Sequence, residues 1–176
     1  MVTAAGDSSP AKGTGPPAAS EAATATASAT ASEPPSEAAP LQLVPLGRMA
    51  ATLRSPHVLA GTPAGDRWIF EVVEGSFEGD RLRATVRGQA NADWFLLGPD
   101  GTGSLDVRVL VETHDGALVY VHYTGRVAAG EPGAPLYATP RFDTGDERYR
   151  WLNRIQAVAK GHLTGDRLTY EVYELR

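Results

Sequence analysis

Three Gly-Asp-Arg triplets divide this 176-residue chain into short pieces: Gly65-Asp66-Arg67, Gly79-Asp80-Arg81 and Gly165-Asp166-Arg167. Pro99-Asp100-Gly101 and Asp115-Gly116 add further turn signals. Glycine adopts positive φ without penalty and aspartate bonds its own backbone, so such pairs suit tight loops between strands. The pieces between them, at 68–74, 81–87, 93–97, 104–114, 117–124, 154–163 and 167–175, are rich in Val, Leu, Tyr and Phe, and 41–54 supplies one or two more. Helical periodicity is weak, and its best candidate, 146–153, is only two turns long. Without crossover helices a parallel sheet cannot form. Short strands at this spacing imply a sandwich or a barrel. With hairpins joining sequential neighbours, the simpler solution is an all-β fold, a single antiparallel up-and-down β-barrel whose closure removes exposed edges.

The barrel does not claim the whole chain. Residues 1–40 hold no aromatic side chain, and 30 of them are Ala, Pro, Ser or Thr. Such a segment buries too little apolar surface to offset its ordering entropy, so it reads as a disordered tail before a barrel domain at 41–176. The tail carries a net −3 of the chain's −5 and the domain holds all 13 aromatics, so the domain is close to neutral. That argues against nucleic acid as a partner, since phosphate binding needs a basic patch. With no cysteine there is no disulfide frame, thiol nucleophile or Cys zinc site. His57, His114, His122 and His162 are scattered, so no metal is expected. No run has the basic start and apolar core of a secretory signal or the length of a membrane span. The expectation is a cytoplasmic protein with no membrane partner, free to form a homo-oligomer.

The central hairpin supplies the first candidates. If Asp115-Gly116 is a two-residue turn, Asp106, Arg108, Leu110 and Glu112 share a face with Val119, Val121 and Tyr123. The other face then carries Leu105, Val107, Val109 and Val111 with Leu118, Tyr120 and His122. Neither face is plainly apolar, which implies a cavity with mixed walls. Inside a barrel, Asp106, Arg108 and Glu112 would form a charge network able to perturb a carboxylate for acid–base work. Outside, they would be a solvated face of weak ion pairs. Asp93 presents the same choice, between a cavity carboxylate and a cap on backbone donors. Tyr120 and His122 would form an acid–base pair if their face lines the lumen. No nucleophile elbow, phosphate loop or dinucleotide fingerprint is present, so no cofactor is expected. Trp94, Tyr120, Tyr123, Phe142 and Trp151 are candidate walls of a hydrophobic pocket, with Asn153 as a polar contact; all are equally suited to ordinary packing.

Several motifs occur together in one order. They are Glu74-Gly75-Ser76-Phe77-Glu78-Gly79, Ala92-Asp93-Trp94, Leu105-Asp106-Val107-Arg108 and Glu112-Thr113-His114-Asp115-Gly116-Ala117. Thr139-Pro140-Arg141-Phe142-Asp143-Thr144-Gly145, Tyr149-Arg150-Trp151-Leu152-Asn153 and Tyr170-Glu171-Val172-Tyr173 complete the set. Over nearly all of 41–176 the chain resembles the domain of unknown function 3237 family, also called uncharacterised protein family 0311. The resemblance implies one antiparallel barrel with an interior cavity and carries no settled activity. Ala84 stands where the family pattern usually has glycine, and the Gly125–Pro140 connection is shorter than usual, which would leave the barrel mouth more open.

The expectation from these readings is a small-molecule-binding barrel. It would act as a cofactor-independent cyclase, isomerase or lyase on a mostly apolar metabolite, with Asp106, Arg108, Glu112 or Asp93 polarising one group. The alternatives are a non-catalytic carrier of a hydrophobic ligand and a structural barrel filled by its own side chains.

Overall fold

The computed structural model describes residues 39–176, so the tail expected over 1–40 lies, apart from Ala39 and Pro40, outside the described residues. The strands are β1 (Leu43–Leu53), β2 (His57–Thr62), β3 (Gly65–Glu78), β4 (Arg83–Val86), β5 (Ala92–Leu97), β6 (Thr102–Thr113), β7 (Leu118–Ala128), β8 (Leu136–Ala138), β9 (Arg141–Asp143), β10 (Ala157–Thr164) and β11 (Arg167–Leu175). A 3-10 helix, Glu147–Arg154, separates β9 from β10. Every pairing is antiparallel, and the circuit runs β1, β3, β4 with β5, β6, β7, β8 with β9, β10, β11 and back to β1. Eight positions around the circle are thus filled in sequence order, the up-and-down barrel that the turn pattern implied. No helix among the described residues is long and apolar enough to cross a membrane.

The β4–β5 position is one strand interrupted at 87–91, because both pieces pair with β3 and β6. Asn91 closes that gap. It is 2 % exposed; its Nδ2 donates to the carbonyls of Arg87 (3.1 Å) and Gly88 (3.0 Å), and its Oδ1 accepts from the Leu110 N–H at 2.7 Å. A side-chain amide thereby replaces the ladder bonds that the break removes.

The turns are mostly as the glycines indicated. Thr164 pairs with Arg167 across a two-residue Gly165-Asp166 loop with Gly165 at φ +62. In the first hairpin Thr62 pairs with Gly65, which moves the turn to Pro63-Ala64 and makes Gly65 the first residue of β3.

One turn differs from expectation, and the difference matters. Asp115-Gly116 is not a two-residue loop. The Thr113 N–H donates to the Ala117 carbonyl at 2.8 Å, and the Ala117 N–H donates to the Thr113 hydroxyl at 2.8 Å. His114, Asp115 and Gly116 therefore form a three-residue loop, with Gly116 at φ +88 and its N–H donating to the Thr113 carbonyl at 2.9 Å. The register becomes Val111↔Val119, Val109↔Val121 and Val107↔Tyr123. Leu105, Val107, Val109 and Val111 now share the buried face with Val119, Val121 and Tyr123, while Asp106, Arg108, Leu110 and Glu112 share the outer face with Leu118, Tyr120 and His122. A one-residue slip had mixed two separate faces.

The two ends of the barrel are unlike. One is packed solid: Leu46, Leu82, Phe77 and Phe142 join Tyr149 and the fully buried Leu152 of the helix in the core. Phe77 and Phe142 meet edge to face at 6.2 Å. Each such ring or aliphatic side chain contributes about 1.5–3 kcal/mol by burial. At the other end, where β3, β6 and β11 begin and β7 and β10 finish, the interior opens into a cavity.

Asn91→Ala leaves the Leu110 N–H without a partner and deletes three hydrogen bonds, so it is expected to destabilise the barrel by about 3 kcal/mol, read from the urea midpoint at constant m-value. A loss below about 0.5 kcal/mol would show that the break holds together without the side chain.

Candidate active site

The cavity at the open end has a volume of about 290 Å3. Trp68 and Phe70 of β3 and Phe95 of β5 form one wall, with ring centroids 6.1–6.4 Å apart. Leu105, Leu136 and Leu168 are among the aliphatic residues that complete it. The 129–135 connection borders the mouth and brings Glu131 to it. That connection belongs to the stretch whose shortness was noted above.

Asp93 lines this cavity and is 8 % exposed. Alternation along β5 puts Asp93, Phe95 and Leu97 on the cavity side. The β5–β6 ladder pairs Asp93↔Val107 and Leu96↔Ser104 but opens at the two positions between them. In that gap Asp93 Oδ1 accepts the Asp106 N–H at 3.0 Å, while the Trp94 carbonyl takes Arg67 Nη1 at 2.9 Å. Burial pushes the Asp93 carboxyl up to about 7; the Asp106 charge nearby adds to the rise, and the bond from the Asp106 N–H opposes it.

Two phenols sit beside this acid. Tyr123 of β7 and Tyr170 of β11 are 6 % and 2 % exposed, with rings edge to face at 5.8 Å. Burial raises both hydroxyls above the ordinary phenol range, and the Asp93 charge raises them further. Gly161 makes room for Tyr170: a Cβ on Gly161 would lie 2.4 Å from the Tyr170 ring. The Tyr123 and Tyr170 hydroxyls bond to each other, whereas the Trp68 indole N–H is buried without a hydrogen-bond partner. Among the described residues that line the cavity, none is Arg, Lys or His. An acid with a pKa near neutrality thus lies in an apolar chamber whose wall also includes Trp68, with its unsatisfied indole donor. It is equipped to give a proton to a bound molecule and to take one back.

The remaining expected residues lie elsewhere. Asp106, Arg108 and Glu112 stand on the outer face and not in the lumen, because the three-residue loop joins the apolar side of β6 to the apolar side of β7 and that shared side is the buried one. Arg108 Nη2 meets Asp106 Oδ1 at 3.2 Å, His122 Nε2 lies 3.7 Å from the same oxygen, and Arg87 Nη1 meets Glu112 Oε2 at 2.7 Å. This is the solvated face that the sequence left open as an alternative. Tyr120 and His122 stack on each other there, with ring centroids 6.3 Å apart. Trp94 also faces outward, under the Arg108 guanidinium at 5.2 Å.

Phe142, Trp151 and Asn153 belong to the packed end. Arg81 lies 3.6 Å above the Trp151 ring, and Arg81 and Arg176 both pair with Glu174, whose carboxyl these bonds hold low. Asn153 accepts the Thr144 N–H and donates to the Thr144 carbonyl, both at 2.9 Å, which fixes the loop before the helix. Of the residues expected from sequence, the structure brings together Asp93 and Tyr123. Tyr170 and Trp68 were not singled out; their signal was an apolar alternation, Leu168, Tyr170, Val172 and Trp68, Phe70, that marks them only as core.

A closed antiparallel barrel with a buried carboxylic acid at one end of an apolar cavity is the class of protein that fold and site define. The family model described as "Protein of unknown function (DUF3237)" matches residues 41–175, and the chain belongs to that family. It is 32% identical over 136 residues to a UPF0311 protein of Bradyrhizobium diazoefficiens, covering 67% of this chain and 86% of that one. The crystal structure of a beta-barrel like protein from Acinetobacter baumannii superposes with a TM-score of 0.73 at 30% identity, covering 80% of this chain and 99% of the other. A shorter match, 38% identity over 60 residues (34% of this chain, 35% of the relative), is to a hydroalkoxylation enzyme of Penicillium herquei. The crystal structure of an enzyme from the same fungus superposes with a TM-score of 0.62 at 26% identity, covering 80% and 98% of the two chains.

The raised Asp93 carboxyl sets a pH signature. An acid with a folded pKa above its unfolded value favours folding while protonated, so its contribution is full below about pH 4 and is lost as pH rises toward about 7. Asp93→Asn keeps an acceptor for the Asp106 N–H and cannot ionise. Its stability relative to wild type is expected to grow between pH 4 and 7 by a few kcal/mol, then level off. Parallel urea titrations check this, and a difference that stays flat across the window would place the Asp93 pKa near its ordinary value.

Proposed function

We propose that this barrel binds a small, mostly apolar metabolite and isomerises it by cyclisation, with Asp93 as the acid–base group and no cofactor. The observation that carries the reading is the Asp93 carboxyl, at about pKa 7 in a cavity with no cation among its described lining residues. Catalytic acids work best with a pKa near the operating pH, and burial is the means by which a carboxyl reaches that range. The relation to a hydroalkoxylation enzyme suggests the bond change. Hydroalkoxylation adds an alcohol O–H across a C=C double bond. The Asp93 carboxylic acid gives its proton to one end of a polarised alkene, the hydroxyl oxygen of the same substrate bonds to the other end, and that hydroxyl's proton returns to the carboxylate. Atoms balance, the product has the mass of the substrate, and nothing external is consumed. The cavity contributes by holding a flexible chain in the ring-closing conformer.

A carrier that binds without turnover is the second reading, favoured by the largely apolar lining. A filled structural barrel is disfavoured by the cavity itself.

The test is incubation with neutral unsaturated alcohols extracted from the native host, followed by chromatography and mass spectrometry for products of unchanged mass. Asp93→Asn is expected to slow product formation by about 10²–10⁴-fold. Arg108→Ala and Glu112→Ala are expected to stay within about twofold of wild type, since exposed ion pairs contribute little. The rate should fall as pH rises through about 7, where Asp93 loses its proton. Full activity of Asp93→Asn would remove the residue from the chemistry, and retention of ligand with no turnover would favour the carrier.

A further inference from the structure

The charges around the cavity say more about its ligand than its shape does. Asp93 on β5 and Glu131 at the mouth are its two acidic lining residues, and no lining residue among those described is a cation. The ionisable groups whose charges act on Asp93 or feel its charge are the Tyr123 and Tyr170 phenols and the Asp106 carboxylate, none of which can neutralise a negative charge. A carboxylate or phosphate brought into this space would give up its hydration without receiving a counter-charge, a loss that hydrogen bonds from neutral groups do not return.

The polar groups left unsatisfied are of a different kind. Trp68 lines the cavity and its indole N–H is a donor without a partner, and Asp93, also in the lining, is a donor whenever it is protonated. Each buried donor without a partner is costly, so a ligand oxygen that accepts from them recovers that cost. The wall opposite the aliphatic side chains is aromatic, which suits a flat ring. At about 290 Å3 the space corresponds to roughly ten water volumes, the scale of a small fused-ring compound and not of a long acyl chain.

We infer that the cavity selects by charge, taking an uncharged, ring-containing molecule with a carbonyl or ether oxygen and rejecting anions of the same shape. This rests on the reading of the cavity as a ligand site and names the class of ligand for it. Coenzyme A thioesters, phosphorylated isoprenoids and free fatty acids fall outside that class.

A matched pair of probes tests it. 2-Acetylnaphthalene and 2-naphthoate share a ring system and nearly the same outline, and they differ in charge at pH 8. Equilibrium dialysis against the full chain is expected to show the ketone bound about tenfold or more tightly than the carboxylate, since only the carboxylate must be desolvated as an ion. Trp68→Phe, checked by circular dichroism for a retained fold, is expected to weaken ketone binding several-fold while the preference for the neutral probe persists. Equal or tighter binding of the naphthoate overturns the inference, and so does binding of neither probe. Neither probe carries an alcohol and an alkene to join, so the result is independent of turnover. If the ketone binds selectively and no unsaturated alcohol is converted, the proposed cyclisation fails and the charge selection stands.

Discussion

The loop at His114–Gly116 decides what this barrel contains. β6 and β7 are paired over eleven residues, and the length of their connection settles which side chains of each strand enter the lumen. Three residues, with Gly116 in the left-handed region and Thr113 bonded to Ala117 through both backbone and hydroxyl, give an inner face of β6 and β7 that is apolar apart from the Thr113 and Tyr123 hydroxyls. They also turn Asp106, Arg108 and Glu112 out to solvent. Asp115 strengthens the loop, accepting from the Thr113 hydroxyl at 2.6 Å, the Tyr149 hydroxyl at 2.9 Å and Arg148 Nη1 at 2.8 Å. The helix at the packed end is thereby tied to the hairpin that sets the register.

With that face largely apolar, a single carboxyl buried against it behaves unlike those outside. Asp115 is held below the usual range first by the Thr113 hydroxyl and then by Tyr149 and Arg148, and Asp146 by its bonds from Arg148, whereas Asp93 is pushed up by burial. The same residue type thus behaves in two ways: charged aspartates fasten loops at the surface, and one aspartic acid inside has its carboxyl raised toward neutrality by burial. The opening in the β5–β6 ladder allows this, because it supplies Asp93 with one backbone N–H, enough to orient the carboxyl without restoring its ordinary acidity.

Much of the architecture was legible in the chain. Gly165-Asp166 marked its hairpin, the β-rich pieces matched the strands, and sequential hairpins implied sequential neighbours around a closed circle. Less of the site was legible. Asp93 and Tyr123 were among the candidates, but Trp94, Tyr120, Phe142, Trp151 and Asn153 were equally plausible as pocket residues and proved to lie outside or at the packed end. An aromatic residue in a strand has the same local pattern whether it meets a cavity, a core or an arginine, as Phe95, Phe142 and Trp151 do here. The strands β8 and β9 went unmarked for a related reason, since three residues are too few for alternation to stand out, and β2 was also unmarked.

What the sequence determined by itself is the class of structure: turn residues at short intervals and no apolar stripe of helical period leave a closed antiparallel sheet as the way to satisfy the backbone. What only the tertiary structure decided is which side of that sheet each charge occupies. Strand side chains alternate, so one residue more or less in a loop exchanges the two faces, and that residue is selected by the summed burial of both strands and not by the four or five residues of the turn. Asp106, Arg108 and Glu112 became surface charges by that count of one, and Asp93 came to the inner side through its pairing with Val107 across β5 and β6.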